Sequence, residues 1–351
     1  MIRVAILGAG IGAEHLAGYR NLPDMFLVSV VCDLNVARAA EIIGDDASIE
    51  ITHDVESVLQ NSDVDLIDIC LPPHLHFSMT LRALDAGKHV VCEKPLVTSL
   101  AEADALIAKE QETGRRVFPV FQYRYGPATN RIRALIEAGL AGKPLVASLE
   151  THWNRGSEYY AVDWRGTWAG ESGGAVLGHA IHNHDYLMLL MGPVSELTAT
   201  VATRVNEIEV EDCAAISMRM ANGALATSSV TLGGATDTTR IRLVYDKLTA
   251  ESGTEPYAPA IDAWTYTARD PGDQDKVDDI VAAHGDVKSG FVGFFQDIYQ
   301  ALEGGPETAV SLMDGRRSIE LVTSVYQSAR SGKTVRLPLN EEADFYEGWL
   351  P

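Results

Sequence analysis

The chain has 351 residues, 46% of them apolar and 22% charged, which suits two domains with buried cores and excludes a disordered chain. Its formal net charge of -21 repels phosphate backbones and anionic lipid heads, and no local basic patch offsets it, so no nucleic-acid or membrane partner is expected. Four cysteines are present. Cys32, Cys70 and Cys92 fall in strand-like runs and read as buried free thiols; with no signal-peptide core and no apolar run long enough for a bilayer, the expected location is the cytoplasm.

From Ile2 to about Pro119 short β-branched runs alternate with helical patterns, the order of βαβ units. Strands are expected at Arg3–Leu7, Phe26–Cys32, Asp65–Leu71, His89–Cys92 and Arg116–Val120, and helices at Ala13–Asn21, Phe77–Ala86 and Leu100–Thr113, with Gly87 and Gly114 as C-caps. The pattern changes after Gln122. One helix at Ala128–Ala138 precedes strand-like runs at Pro144–Trp153, Glu196–Arg204, Ala214–Met220, Ala224–Leu232 and Arg240–Val244. Consecutive strands with few intervening helices predict a mostly antiparallel sheet. The acidic, proline-bearing segment Glu251–Gly290 reads as loop, lid or oligomer arm, and helices at Gly290–Leu302 and Met313–Ser331 close the chain. The expected organisation is a parallel, doubly wound α/β domain over residues 1–122 and an α+β domain over residues 123–351.

Gly8-Ala9-Gly10-Ile11-Gly12-Ala13 follows the first strand and opens a helix, with Ala13 at the third position of G-x-G-x-x-G/A. Gly8 allows the tight turn, and Gly10 lets the backbone approach a pyrophosphate at the helix N-terminus. Asp33 ends the second strand ~20 residues on, where a carboxylate accepts from adenosine ribose hydroxyls and repels a 2′-phosphate. NAD is therefore expected over NADP. Two competing readings attach here: Asp33 as a helix N-cap, and Arg38, one turn on, softening the preference.

Further segments carry a resemblance. Leu66-Ile67-Asp68-Ile69-Cys70-Leu71-Pro72-Pro73-His74-Leu75-His76, Ala86-Gly87-Lys88-His89-Val90-Val91-Cys92-Glu93-Lys94-Pro95, Phe121-Gln122-Tyr123-Arg124, Asp163-Trp164-Arg165, the Gly173–Gly192 helix, and the closing Ser328-Ala329-Arg330-Ser331-Gly332-Lys333 with Leu337-Pro338 together resemble the Gfo/Idh/MocA oxidoreductases. The resemblance implies a Rossmann domain, a second, substrate-binding and oligomerisation domain with a large, mainly antiparallel open sheet, an active site between them, and a homodimer or homotetramer. It also implies that Lys94 lies near the nicotinamide and substrate hydroxyl and that Glu93 helps hold the cofactor; Leu71, Pro72, His76, Gln122 and Arg124 complete the expected cofactor set. Lys94 follows the carboxyl end of a parallel strand, where an ammonium can steady a developing alkoxide.

In the glycine-rich helix, His179, His182 and Tyr186 fall within a ~60° arc at about 100° per residue, while His184 points away. The family pattern is Asp-x-Gly-x-His-x-x-Asp. His182 with Asp185 fits its end, which makes His182 the candidate general base, with His179 beside it. Gly178 stands where the pattern has its first aspartate. Metal ligation by His179, His182 and Asp185 is not expected. His152, Asn154, Trp164, Arg165 and Asp237, with Trp153, are candidate contacts for a sugar, polyol or cyclitol. The expected activity is NAD-dependent hydride transfer at a hydroxyl-bearing carbon. A glycosidase using transient oxidation, and a non-enzymatic dinucleotide sensor, are the alternatives.

Overall fold

The computed structural model describes all 351 residues. They fall into two compact units, Met1–Val120 with Phe291–Ile319, and Phe121–Gly290 with Glu320–Pro351.

In the first unit β1 (Ile2–Leu7), α1 (Gly12–Arg20), β2 (Phe26–Cys32), α2 (Val36–Ile43), β3 (Glu50–Thr52), α3 (Val55–Gln60), β4 (Leu66–Ile69), α4 (His76–Asp85), β5 (His89–Cys92), α5 (Leu100–Thr113) and β6 (Val117–Pro119) alternate. The strands form one sheet in the order β3-β2-β1-β4-β5-β6, and every pairing is parallel. This is the doubly wound order with its switch point between β1 and β4. Val4 to Leu7 and Leu66 to Ile69 are buried throughout, as strands covered on both faces must be. Ser99 caps α5 by accepting the Glu102 amide, the Glu102 carboxylate reaches back to the Thr98 amide, and Gly114 ends the helix in the left-handed region.

The second unit contains α6 (Pro127–Glu137), β7 (Pro144–Asn154), α7 (Trp168–Glu171), a π-helical turn at Val176–Ala180, α8 (Ile181–Met191), β8 (Val194–Ala202), β9 (Cys213–Met220), β10 (Leu225–Thr231), β11 (Gly233–Tyr245), β12 (Leu248–Glu251), β13 (Thr265–Ala268) and α9 (Gln274–Ala283). The chain ends with α10 (Gly290–Leu302), α11 (Leu312–Ser331) and β14 (Val335–Arg336). The eight-stranded sheet runs β13-β12-β11-β7-β10-β9-β8-β14. Only β7 and β10 pair in parallel; the remaining neighbours are antiparallel.

Two expectations need correction. Glu251–Gly290 is not a plain loop: it holds β13, a four-residue sheet edge, and α9, whose single buried side chain, Val277, leaves almost no apolar period to read. Phe291–Ile319 belongs to the first compact unit, although a boundary at residue 122 assigns it to the second. The reason is packing against α1. Phe295 stacks on Tyr19 with centroids 3.8 Å apart, and any Cβ on Gly18 would lie 2.8 Å from the Phe295 ring. No helix is long and apolar enough to cross a membrane.

Candidate functional site

The turn after β1 has the geometry that phosphate binding needs. Gly8 adopts φ +102°, and a Cβ there would sit 2.4 Å from the Cys70 carbonyl oxygen, so only glycine lets β1 and β4 approach. A Cβ on Gly12 would meet Ile6 at 2.9 Å, which ties the first turn of α1 to the sheet. Gly10 differs: it is exposed, and a Cβ there would meet nothing within 4 Å. Its bareness serves something outside the protein's own packing. Ile11 begins α1 without a side-chain cap, leaving the helix N-terminus to receive an anion. These residues fit a dinucleotide's pyrophosphate.

Asp33 stands beside this turn. One carboxylate oxygen accepts from the Ala9 amide at 2.7 Å and the other from Asn35 at 2.7 Å. The N-cap of α2 is Asn35, which accepts from the Arg38 amide at 3.2 Å, so the capping role falls to Asn35 and leaves Asp33 at the rim of the glycine turn. The Arg38 side chain is exposed.

After β5, Glu93 is buried and Lys94 half-buried. Glu93 Oε2 accepts the Lys94 amide at 3.0 Å, and the Lys94–Pro95 peptide is cis. His76 joins this segment to the loop after β4: its Nδ1 lies 2.7 Å from the Pro95 carbonyl oxygen and its Nε2 2.7 Å from that of Leu71. His76 is thus a strut between backbones. Burial lowers its pKa. Leu71 packs 3.5 Å from the position of a Gly8 Cβ, and Pro72 precedes the short 3₁₀ turn leading into α4.

In the second unit the histidine helix departs from uniform α geometry. The π-turn at Val176–Ala180 holds His179, whereas His182 lies in α8. The wider turn alters the angular step, so a projection at constant pitch fails across it. His182 stacks on Tyr123 at 4.5 Å and meets Phe121 edge-on. His179 instead lies against Trp153 at 5.7 Å and Tyr159 at 5.6 Å. Tyr186, expected in the same arc, accepts a hydrogen bond from Thr129 at 2.9 Å. His184 points away, its Nε2 2.8 Å from Ser228 Oγ, and burial drops its pKa to about 4.

Asp185 is held by Arg124, which donates from Nε and Nη2 at 2.6 and 2.5 Å. Arg124, expected at the cofactor, thus uses its Nε and Nη2 to hold α8. The carbonyl oxygen of the neighbouring Gln122 side chain is buried with no hydrogen-bond partner. At Gly178 a Cβ would meet nothing within 4 Å, so the position that carries aspartate in the family pattern opens onto space.

The candidate substrate contacts divide between faces. Trp153 packs beside His179 and donates to Thr239 at 3.2 Å, whereas His152, on the other face of β7, lies 2.9 Å from Ser229 Oγ. His152 is thereby turned away from the histidine helix. Asn154 donates its amide to Asp237 at 2.5 Å, and Asp237 also accepts from Arg155 and the Tyr257 hydroxyl. Although partial burial opposes it, these donors hold the Asp237 carboxyl below its usual range. Arg165 lies 4.0 Å over Tyr159 and 4.7 Å over the half-exposed Trp164 ring. Sequence reasoning missed Tyr159, Arg155 and Tyr257, which lie far from any motif. Trp153, Tyr159 and Tyr257 form an aromatic wall near His179, crossed by the Arg155–Asp237 pair.

Sequence reasoning also missed a buried cluster in the first unit. His15 Nδ1 lies 2.8 Å from Asp68 Oδ2, its Nε2 3.0 Å from Glu93 Oε1, and Cys70 Sγ 3.5 Å from Nδ1. His15, Asp68 and Cys70 bring three ligand-type atoms within 4.8 Å of one another. Hydrogen bonding accounts for that spacing, since 2.8 Å is a proton-sharing distance and burial pushes the Cys70 thiol up, away from the thiolate a metal takes.

Residues 2–121 match the family model "Oxidoreductase family, NAD-binding Rossmann fold", and residues 129–251 match the "GFO/IDH/MocA C-terminal domain". The uncharacterized oxidoreductase YrbE of Bacillus subtilis is 32% identical over 232 residues, 64% of this chain and 65% of that protein. The chain thus spans slightly under two thirds of that relative's length. An inositol 2-dehydrogenase of Rhodococcus erythropolis is 34% identical over 147 residues, 41% of this chain and 42% of that protein. The crystal structure of the WlbA dehydrogenase from Bordetella pertussis in complex with NADH and UDP-GlcNAcA superposes with a TM-score of 0.82 at 28% identity, covering 97% of this chain and 99% of that one. The two family models together match more than half of the sequence, and the chain belongs to the Gfo/Idh/MocA family of oxidoreductases.

Proposed function

We propose that this protein is an NAD-dependent dehydrogenase that oxidises a hydroxyl-bearing carbon of a sugar, polyol or inositol. The observation that carries the reading is the first turn: a bare, exposed Gly10 at an uncapped helix N-terminus, with the Asp33 carboxylate bonded to its flank. NAD would lie with its diphosphate over Gly8–Gly12 and its ribose at Asp33, and supplies the hydride acceptor.

Lys94, set by Glu93 at the end of β5, orients the substrate hydroxyl and stabilises negative charge on its oxygen. His182, its ring fixed by Tyr123, accepts the hydroxyl proton. His179 and the wall of Trp153, Tyr159 and Tyr257 offer ring faces to the C–H face of a pyranose or cyclitol, while Asp237, Trp164 and Arg165 supply the polar rim. The names of relatives, an inositol 2-dehydrogenase and an NADH-bound nucleotide-sugar dehydrogenase, support this substrate range.

A homo-oligomer formed through the open face of the eight-stranded sheet agrees with exposed Val146 beside exposed Leu225 on adjacent strands. A cytoplasmic location agrees with four free cysteines.

The test is NAD reduction, followed as NADH absorbance, against inositols, aldoses and glycosides. Turnover of one class is expected, abolished in Lys94→Ala and His182→Ala while NADH still binds. Unchanged turnover in both variants would remove the assigned roles, and release of sugar without NADH accumulation would favour a glycosidase.

A further inference from the structure

We propose that His15 is a positioning residue for the Glu93–Lys94 turn: its ring, clamped between Asp68 and Glu93, fixes the Glu93 carboxylate and through it the backbone that carries Lys94. The link is continuous. Asp68 Oδ2 meets Nδ1 at 2.8 Å, Nε2 meets Glu93 Oε1 at 3.0 Å, and Glu93 Oε2 accepts the Lys94 amide at 3.0 Å. A neutral imidazole owns a single N–H, so it can satisfy only one of two carboxylates and would turn a lone pair toward the other. With both nitrogens protonated, both contacts become charge-assisted hydrogen bonds.

The surroundings favour that state. Complete burial is the largest single influence and opposes a charged ring, but Asp68 and Cys70 together outweigh it and raise the His15 pKa well above its ordinary value. The groups facing the ring from other elements are Asp68 and Cys70 around β4, Glu93 after β5, and the apolar rings of Phe291 and Phe295 from α10, at 4.5 and 5.6 Å. Asp68 and His15 are fully buried, so no water competes for the contact. A buried Glu93 carboxylate is costly; the shared charge of the His15 ring offsets part of that cost, and its Nε2 contact adds a second fix on the carboxylate's direction beside the Lys94 amide.

The proposal rests on Lys94 serving the reaction, and its test separates the two. In ¹⁵N-labelled full-length protein with NADH, both His15 ring nitrogens should be protonated, with shifts flat from pH 6 to pH 8. A ring with one bare nitrogen, or one titrating in that range, overturns the clamp whatever the substrate. With a substrate from the panel, His15→Gln should lower kcat about tenfold, leave the NADH Kd within about threefold, and add little to the loss in Glu93→Gln. Losses that multiply in the double variant would make the two residues independent and refute the linkage. Full turnover in Lys94→Ala refutes only the role given to Lys94.

Discussion

Arg124 grips Asp185 with two parallel hydrogen bonds, 2.6 and 2.5 Å, and joins the short 3₁₀ turn after Phe121 to the helix that carries His182. Asp185 is 1% exposed, so this contact is shielded from water. Arg124→Ala should cost about 3–5 kcal/mol, because it removes a partner of a buried charge rather than one half of a surface pair. Urea unfolding checks this. Arg124→Met with Asp185→Leu should recover most of the loss; a double variant as weak as Arg124→Ala would show that the charge was not the cause.

Asp33 spends both oxygens on backbone amides, one in the glycine turn and one before α2. Asp33→Ala should raise the Kd for NADH about tenfold, ~1.4 kcal/mol, and bring the NADPH Kd closer to it, since the repulsion of a 2′-phosphate is gone. Fluorescence titration with both nucleotides measures the ratio. An unchanged ratio would move cofactor choice elsewhere.

Gly8 and Gly10 should respond in opposite ways to a side chain. Gly8→Ala meets the Cys70 carbonyl and a left-handed backbone, so it should lose about 2 kcal/mol or more in thermal or urea unfolding. The Cβ that Gly10→Val adds has nothing within 4 Å, so this variant should keep its stability while losing NADH binding. Normal NADH affinity in Gly10→Val would mean that the phosphates lie elsewhere.

Glu211 accepts from the amides of Gly174 and Val176 and from the Tyr326 hydroxyl, at the start of the π-turn. Burial, only partly offset by these donors, pushes its pKa up to about 6 from 4.5. The folded state therefore binds the extra proton between those values, and this group's contribution to stability falls as pH rises from 4.5 through 6. The size is about 2 kcal/mol. Urea unfolding at pH 4.5 and pH 7 should show the drop in the native protein and not in Glu211→Gln; equal slopes in the two would refute it.

Much of the first unit was legible in residue order. The glycines, Asp33 and Glu93-Lys94-Pro95 lie within or just after strands whose runs announce themselves, and the packing around Gly8 and Gly12 explains why the spacing is as it is. The second unit was legible in its strands but less so in its site. His152 and Trp153 are neighbours in sequence and lie on opposite faces of β7, and the π-turn breaks the angular arithmetic between His179 and His182. Arg155, Tyr159 and Tyr257 carry no motif, because a cluster of packed side chains needs only groups brought together in space, not a fixed spacing along the chain.

The sequence by itself determined what is local: strand and helix patterns, a turn that requires glycine, and the family pattern with Gly178 in place of an aspartate. Tertiary structure alone decided who meets whom across long separations, as in His15 with Asp68 and Glu93, Arg124 with Asp185, and Phe295 against Tyr19. The physical reason is that backbone preferences act over a few residues. Buried charges and rings find their partners only after the chain has brought distant segments together and removed the water between them.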